Sequence, residues 1–136
     1  MLTVVCAALI KPDGRVLVQR RPEGGRYPSY WEFPGGKVER GEAPEAALVR
    51  ELSEELGLDT DATHLTPLGF ATESTEDGSL VLLLYISTVW RGVPRLLHAT
   101  ALDWVSPVAM RDLQMPPADR PLVEMLVNRA LAKSEA

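Results

Sequence analysis

Apolar and polar residues near the N-terminus follow the pattern of β-strands. Apolar and β-branched residues fill positions 3–10 and 15–19, and the turn-forming Pro12-Asp13-Gly14 lies between the two runs. Two short runs of this kind around such a turn are typical of a β-hairpin. We therefore predict that the chain begins with two antiparallel strands.

The next segment has no hydrophobic period until residue 31. Positions 20–29 are rich in Arg, Pro and Gly, which predicts a loop. Trp31-Glu32-Phe33 is a short extended segment, and Pro34 with the pair Gly35-Gly36 is expected to end it.

A helix is predicted from about Pro44 to Leu56, because Pro suits a first helical turn and Gly57 suits a C-terminal stop. At 100° per residue its side chains separate into two neighbouring groups. The apolar stripe consists of Leu48, Val49, Leu52 and Leu56, and the acidic arc of Glu51, Glu54 and Glu55. One side of this helix is thus expected to pack on the core, and the neighbouring side is expected to present its glutamates to a cleft.

The second half of the chain completes an α/β (α+β) pattern. We predict strands at 65–72 and 80–90 joined by a polar turn at 73–79, a short strand at 104–105, a short helix beginning at Ser106-Pro107, and a closing helix from Asp119 to about Ala132. This order favours one domain over residues 1–136, with a mixed central sheet covered by helices on both faces.

Charge and cysteine content exclude several functions. The net charge is −5 without a basic block, so binding to a polymeric nucleic acid is not expected. Cys6 is the only cysteine, which rules out an intrachain disulfide and a thiolate zinc cluster. The apolar run that ends at Lys11 is too short to span a bilayer and has no basic leader, so we expect a cytoplasmic protein without membrane contact. With no extra domain to dimerise through, a monomer is the expected state.

The acidic arc is the first candidate for a functional site. Like charges within one and a half helical turns disfavour joint ionisation unless a cation lies nearby. Oxygen ligands suit a hard divalent cation, so Glu51, Glu54 and Glu55 predict a carboxylate metal site. The alternative is a solvated, glutamate-rich helix face.

The spacing of these residues resembles a known motif. Gly36, Glu42 and the run Arg50-Glu51-Leu52-x-Glu54-Glu55-x-Gly57-Leu58 resemble the complete Nudix box, here residues 36–58. The flanking segments 31–39 and 115–121 are similar to the MutT branch of that superfamily. The resemblance implies an α/β/α sandwich and hydrolysis that depends on Mg²⁺, with Mn²⁺ as a substitute. In the MutT branch the reaction converts a nucleoside triphosphate to the monophosphate and pyrophosphate.

The resemblance also implies roles for individual residues. Glu54 and Glu55 are the expected metal ligands together with the Gly35 carbonyl, and Glu51 is either a ligand or the base that orients water. Arg50 is expected to hold Glu54 or another carboxylate of the motif, so the catalytic set is Glu51, Glu54 and Arg50. The expected substrate-binding residues are Arg21, Glu32, Phe33, Pro34, Gly35, Lys37 and Asp119.

Two positions depart from the MutT pattern. Relatives often use Asn where this chain has Asp119, and an ionised Asp only accepts hydrogen bonds. It would therefore suit the amino group of cytosine or the extra ring N–H of an 8-oxo purine, although Asp119 could also be the N-cap of the last helix. His98 lies where MutT chains often carry Glu; it either replaces that acidic group or is a loop histidine in solvent, and His64 is expected at the surface.

Three functions remain open on the sequence. The first is a MutT-type pyrophosphohydrolase that acts on oxidised dNTPs such as 8-oxo-dGTP or on pyrimidine triphosphates such as CTP. The second is a Nudix hydrolase of ADP-ribose or a dinucleoside polyphosphate. The third is a non-catalytic nucleotide-binding module, which would have no need of three clustered carboxylates.

Overall fold

The computed structural model describes residues 1–135. Its strands are β1 Leu2–Leu9, β2 Val16–Arg20, β3 Trp31–Glu32, β4 Gly35–Lys37, β5 Thr66–Thr75, β6 Gly78–Ser87 and β7 Ala101–Val105. Its helices are α1 Pro44–Leu56, α2 Pro107–Met110 and α3 Asp119–Glu135, with a single 3₁₀ turn at Ala62–His64.

The strands form two sheets. The larger is mixed, with the order β4-β1-β6-β5, in which β1 runs parallel to β6 and antiparallel to β4. The smaller is antiparallel, with the order β3-β2-β7. The predicted mixed sheet is confirmed, and a second sheet accompanies it.

Strand β1 divides the core in two by simple alternation. Val5, Ala7 and Leu9 pack with the apolar stripe of α1. Cys6 and Ala8 face the other way and pack with residues of α3. A strand buried on both faces between helices gives the predicted layered α/β/α arrangement.

The predicted N-terminal hairpin is wrong in its pairing. The turn exists, since the backbone N–H of Lys11 donates to the Arg15 carbonyl at 2.9 Å and Ile10 bridges Val16. Beyond it, however, β1 and β2 separate into different sheets. The physical reason is competition: β6 pairs with β1 along one edge, and β4 with the Pro34 carbonyl takes the other edge from Val4 to Ala7, so β2 can pair only at the turn.

The two glycines expected to end an extended segment are themselves a strand. In β4, Gly35 and Gly36 pair with Cys6 and Val5 of β1. A Cβ on Gly35 would lie 2.0 Å from the Val5 carbonyl oxygen, so only glycine permits this approach.

Several other element bounds differ from the predicted ones. The turn predicted at 73–79 shrinks to Glu76-Asp77, since Thr75 pairs with Gly78 and Glu73 with Leu80. Strand β6 ends at Ser87 rather than at residue 90, and β7 begins before the predicted 104–105.

Helix α1 matches its prediction, with Pro44 in the first turn and Gly57 at the C-cap in the left-handed region (φ 68°). The Gly57 N–H donates to the Ser53 carbonyl at 3.0 Å, which completes the last turn. No helix in the described part of the chain is long and apolar enough to cross a membrane.

Candidate active site

A cavity of about 730 Å³ runs between the acidic side of α1, strand β4 and the start of α3. The predicted site residues that line it are Arg21, Glu32, Phe33, Gly35, Lys37, Glu51, Glu54, Glu55 and Asp119. Two predicted residues are not in its lining. Pro34 is buried, and its carbonyl accepts a hydrogen bond from Ala7, while Arg50 lies behind the carboxylates.

The three glutamates of α1 differ in their exposure. The Glu54 side chain is 59% exposed and the Glu51 side chain 16%, whereas Glu55 is buried. Glu51 lies directly against β4, because a Cβ on Gly36 would be 2.4 Å from the Glu51 Cδ. The bare backbone of Gly36 therefore leaves the space that Glu51 fills.

Glu55 is fixed from two sheets. Its Oε1 accepts from the Gly35 N–H at 3.0 Å, and its Oε2 accepts from the Gln19 Nε2 at 3.3 Å. Burial raises the pKa of Glu55 to about 7, and these two hydrogen bonds oppose the rise. Near neutral pH this carboxyl is thus poised between its two protonation states.

Arg50 organises the carboxylates from the outer side. Its Nε and Nη2 donate to the two carboxylate oxygens of Glu42 at 2.9 and 3.0 Å, and its Nη1 donates to Glu51 at 2.9 Å and to Glu54 at 3.3 Å. The hydrogen bonds from Arg50 lower the pKa of Glu42 to about 2. The contact with Glu54 is present, but Glu42 is the main partner, which the sequence did not single out.

Other polar residues of the cavity lining come from the smaller sheet and the loop that follows β2. Arg21 Nη1 donates to Glu32 Oε1 at 2.7 Å, and its Nε donates to the Arg26 carbonyl at 2.9 Å. Arg21 is therefore braced at the cavity wall. Phe33 belongs to the buried core as well as to the cavity lining, so the core packing fixes this part of the cavity wall.

Asp119 is nearly inaccessible, at 5% exposure, and lies at the first residue of α3. Burial raises the pKa of Asp119 to about 8, and the nearby charge of Glu32 raises it further, while a hydrogen bond from the Phe33 backbone N–H lowers it. An ionised Asp119 would only accept hydrogen bonds. A protonated carboxyl also donates, so below about pH 8 it offers the same donor and acceptor pair as Asn.

His98 lies at the acidic end. Its Nε2 is 3.6 Å from the Glu55 Oε2, and the Leu97 N–H beside it donates to the Glu55 carbonyl at 3.3 Å. The imidazole is exposed, but it lines the cavity. His64 is exposed, as expected.

Sequence reasoning missed three residues of this region. Gln19 is fully buried, and its amide donates to both Glu55 and Glu32. Its signal was available: Gln19 continues the apolar run Val16-Leu17-Val18, so a polar side chain shares the strand of three core residues. Tyr27 and Glu73 also line the cavity, but they lay in segments interpreted only as a loop and a turn.

The oxygen donors on this wall fit a hard divalent cation in kind. Among residues 1–135, no group of three or more Asp, Glu, His or Cys side chains is already arranged to hold an ion. Glu54 is exposed enough to rotate, whereas Glu51 and Glu55 are held by neighbours. The carboxylates are thus of the right chemical type and close together, but a side chain such as Glu54 must change its rotamer before they can hold an ion.

Comparison with known proteins decides the family. Residues 1–126 match the NUDIX domain. The chain belongs to the Nudix family. Nudix hydrolases generally use divalent metal ions and act on nucleotide substrates.

Three similar proteins match this chain over nearly their whole length. A CTP pyrophosphohydrolase of Escherichia coli K12 is 36% identical over 131 residues, covering 95% of this chain and 94% of the relative. An 8-oxo-dGTP diphosphatase of the same organism is 29% identical over 125 residues, covering 92% and 95%. The solution structure of the E. coli ORF135 protein superposes with a TM-score of 0.86 at 32% identity, covering 97% and 92%.

Proposed function

We propose that this Nudix protein hydrolyses nucleoside triphosphates to the monophosphate and pyrophosphate with the help of Mg²⁺. The observation that carries the proposal is one cavity lined by two chemically different groups of residues. Three glutamates of α1 lie beside β4, while a buried carboxyl group at the start of α3 and an arginine braced by Glu32 lie elsewhere in the lining. A triphosphate nucleotide matches this division, with a polyanionic tail and a neutral base.

The metal-binding residues would be Glu51, Glu54, Glu55 and the Gly35 carbonyl. A bound Mg²⁺ screens the phosphate charge, polarises phosphorus–oxygen bonds and lowers the pKa of a coordinated water. Because the protein has a net charge of −5, a polyphosphate would be repelled without such compensation.

The chain's own side chains would orient the reactants. Hydrogen bonds from Arg50 keep Glu51 and Glu54 on the cavity side of α1, so that either carboxylate can accept a proton from an attacking water. Lys37 is exposed at the rim, where it can reach phosphate oxygens. Arg21, held by Glu32, would contact the nucleotide beyond the phosphates.

Asp119 would contact the base. In its protonated form it can donate to a ring nitrogen or a carbonyl oxygen and accept from an amino group or a ring N–H, so cytosine and an 8-oxo purine are both compatible with it. The similarity to a CTP pyrophosphohydrolase and to an 8-oxo-dGTP diphosphatase supports the same two substrate classes. We expect the protein to act as a monomer in the cytoplasm.

A nucleotide panel tests this proposal. The protein is incubated with Mg²⁺ and CTP, 8-oxo-dGTP, the common NTPs, ADP-ribose or a dinucleoside polyphosphate, and the products are separated by ion-exchange chromatography. Monophosphate plus pyrophosphate from a triphosphate is the expected result. AMP and ribose phosphate from ADP-ribose alone would point to the other Nudix substrates, and no turnover of any nucleotide would point to a binding module.

A further inference from the structure

The Glu73 side chain joins two separate parts of the cavity wall. Its Oε2 accepts from the Tyr27 hydroxyl and from Arg26 Nη2, each at 2.9 Å. Its Oε1 accepts from the Ala118 backbone N–H at 3.2 Å. One carboxylate thus ties the loop after β2 to the turn that leads into Asp119.

The position of Glu73 strengthens these bonds. It lies on β5, opposite Leu80 of β6, so a paired strand holds its backbone. Its side chain is only 10% exposed, although Arg26 is largely in solvent. A largely desolvated carboxylate needs its donors, because an unpaired charge there would be costly.

Tyr27 and Arg26, which bind Glu73, lie in the loop between β2 and β3 and belong to no helix or strand. Tyr27 has a φ of 51°, in the left-handed region that non-glycine residues rarely adopt without support. Its ring packs against Tyr30 with centroids 5.3 Å apart. Arg26 is linked through its carbonyl to Arg21. The bonds to Glu73 therefore help to select one conformation of this loop.

Glu73 lies on β5, at the opposite edge of the larger sheet from β4, against which the glutamates of α1 pack. Tyr27 presents an aromatic ring there, and Ala118 precedes the buried Asp119. Aromatic faces stack on any base, whereas a carboxyl group distinguishes donors from acceptors. The discrimination between bases then depends on how the ring and the carboxyl are placed relative to each other.

We propose that Glu73 is a positioning residue for nucleobase selection: it holds Tyr27 and the turn before Asp119 as two walls of one base pocket. The inference rests on the proposed function in that the cavity must bind a nucleotide. Glu73 acts through its partners and touches no reacting atom.

Binding of product-like nucleotides tests this role without turnover. The affinities of CMP, UMP, AMP and 8-oxo-dGMP are measured by isothermal titration calorimetry for the wild type and for Glu73→Ala, Glu73→Gln and Tyr27→Phe. Ribose 5-phosphate is the probe that lacks a base. Glu76→Ala, in the exposed turn of the same hairpin, is the matched control.

Loss of Glu73 should weaken the best-bound nucleotide about tenfold, equivalent to one or two hydrogen bonds. The ratio of affinities between bases should shrink towards one, while ribose 5-phosphate binds unchanged. Glu73→Gln has a single acceptor oxygen, so it can keep either the Tyr27 hydroxyl or the Ala118 N–H as its donor, and a partial loss of selectivity is expected. Tyr27→Phe keeps the ring but not its tether, so an intermediate loss is expected.

An unchanged affinity ratio in Glu73→Ala would overturn the proposal. So would an equal loss for ribose 5-phosphate, or a wild type that binds none of the four monophosphates. If Glu73→Ala does not fold, Glu73→Gln and Tyr27→Phe supply the same comparison. A protein that binds the monophosphates selectively but hydrolyses no triphosphate would refute the proposed function while still testing Glu73.

Discussion

Arg50 grips Glu42 through two parallel hydrogen bonds, from Nε at 2.9 Å and from Nη2 at 3.0 Å. Glu42 precedes α1 while Arg50 lies within it, so the pair fastens the incoming loop to the helix. The same guanidinium also donates to Glu51 and to the Lys37 carbonyl of β4. One side chain therefore aligns helix, loop and strand around the acidic wall.

Replacement of Arg50 by Lys should expose this dependence. Lysine keeps the positive charge but cannot make the planar fork, so Glu42 and Glu51 would no longer be fixed together. We expect a fall in kcat of about 10- to 100-fold, as for residues that orient metal ligands. Steady-state kinetics measure it, with Arg40→Lys in the exposed loop as control. A kcat equal to that of the control would show that the fork is dispensable.

Gly36→Ala should displace Glu51. The added methyl would lie 2.4 Å from the Glu51 Cδ, closer than van der Waals contact allows. We expect a large loss of turnover in a folded protein. Gly69→Ala is a suitable comparison, since its methyl meets only the flexible end of Met125, away from the cavity. Equal activities of the two variants, with matching circular dichroism spectra, would contradict the assigned place of Glu51.

Glu55→Gln should leave the fold intact and nearly abolish turnover. The amide oxygen can still accept from the Gly35 N–H, but the anionic metal ligand is lost. Since a metal ion contributes several kcal/mol to such reactions, we expect a loss of at least about 100-fold. Turnover assays with Glu76→Gln as control check this. Wild-type turnover in Glu55→Gln would refute the assigned role.

Metal binding should release a proton near neutral pH. The pKa of Glu55 is about 7 without metal, so the group is mainly protonated at pH 6 and must ionise to bind a cation. The apparent metal affinity should therefore rise with pH up to about 7 and then level off. Calorimetry in buffers of different ionisation enthalpy measures the proton directly. Proton release that is the same in Glu55→Gln would assign it to another group.

Asp119→Asn should stabilise the protein increasingly with pH. The pKa of Asp119 is about 8 in the folded state against an ordinary value of 3.8, so the fold favours the neutral form. That contribution is complete below about pH 4 and is lost as the pH rises through about 8. Asn stays neutral throughout, so the variant's advantage in Tm should grow over this interval to about 5 °C or more.

Thermal unfolding at several pH values gives the comparison, with the exposed Asp112→Asn as control. A pH-independent difference would show that Asp119 does not titrate as described. In nucleotide assays, the same substitution should leave the preference among bases almost unchanged below about pH 8, where both side chains offer a donor and an acceptor, and should change it at higher pH, where Asp119 only accepts. A base profile that is unaltered at every pH would leave Asp119 with a structural role only.

The acidic helix could be predicted in detail because its signals are local. Pro44, Gly57 and a 3.6-residue period define α1 without reference to the rest of the chain. The motif spacing then identified the three glutamates. None of this required knowledge of strand pairing.

Pairing and the second wall could not be predicted, because both depend on distant residues. The Pro12-Asp13-Gly14 turn specifies a reversal, but β6 and β4 decide that β2 can pair with β1 only at the turn. Glu73 looked like part of a polar turn, yet its partners are Tyr27 and Ala118, far along the chain. The raised pKa of Asp119 likewise follows from burial that only the tertiary structure creates.

The two hydrogen bonds to Glu55 come from different sheets, Gly35 from the larger and Gln19 from the smaller. Any shear or hinge motion between the sheets must stretch one of these bonds. The packing of both sheets therefore fixes the position of a single carboxyl group. A packing defect far from the cavity, for instance at Leu9 or Leu17, would displace Glu55 and so misplace a proposed metal ligand.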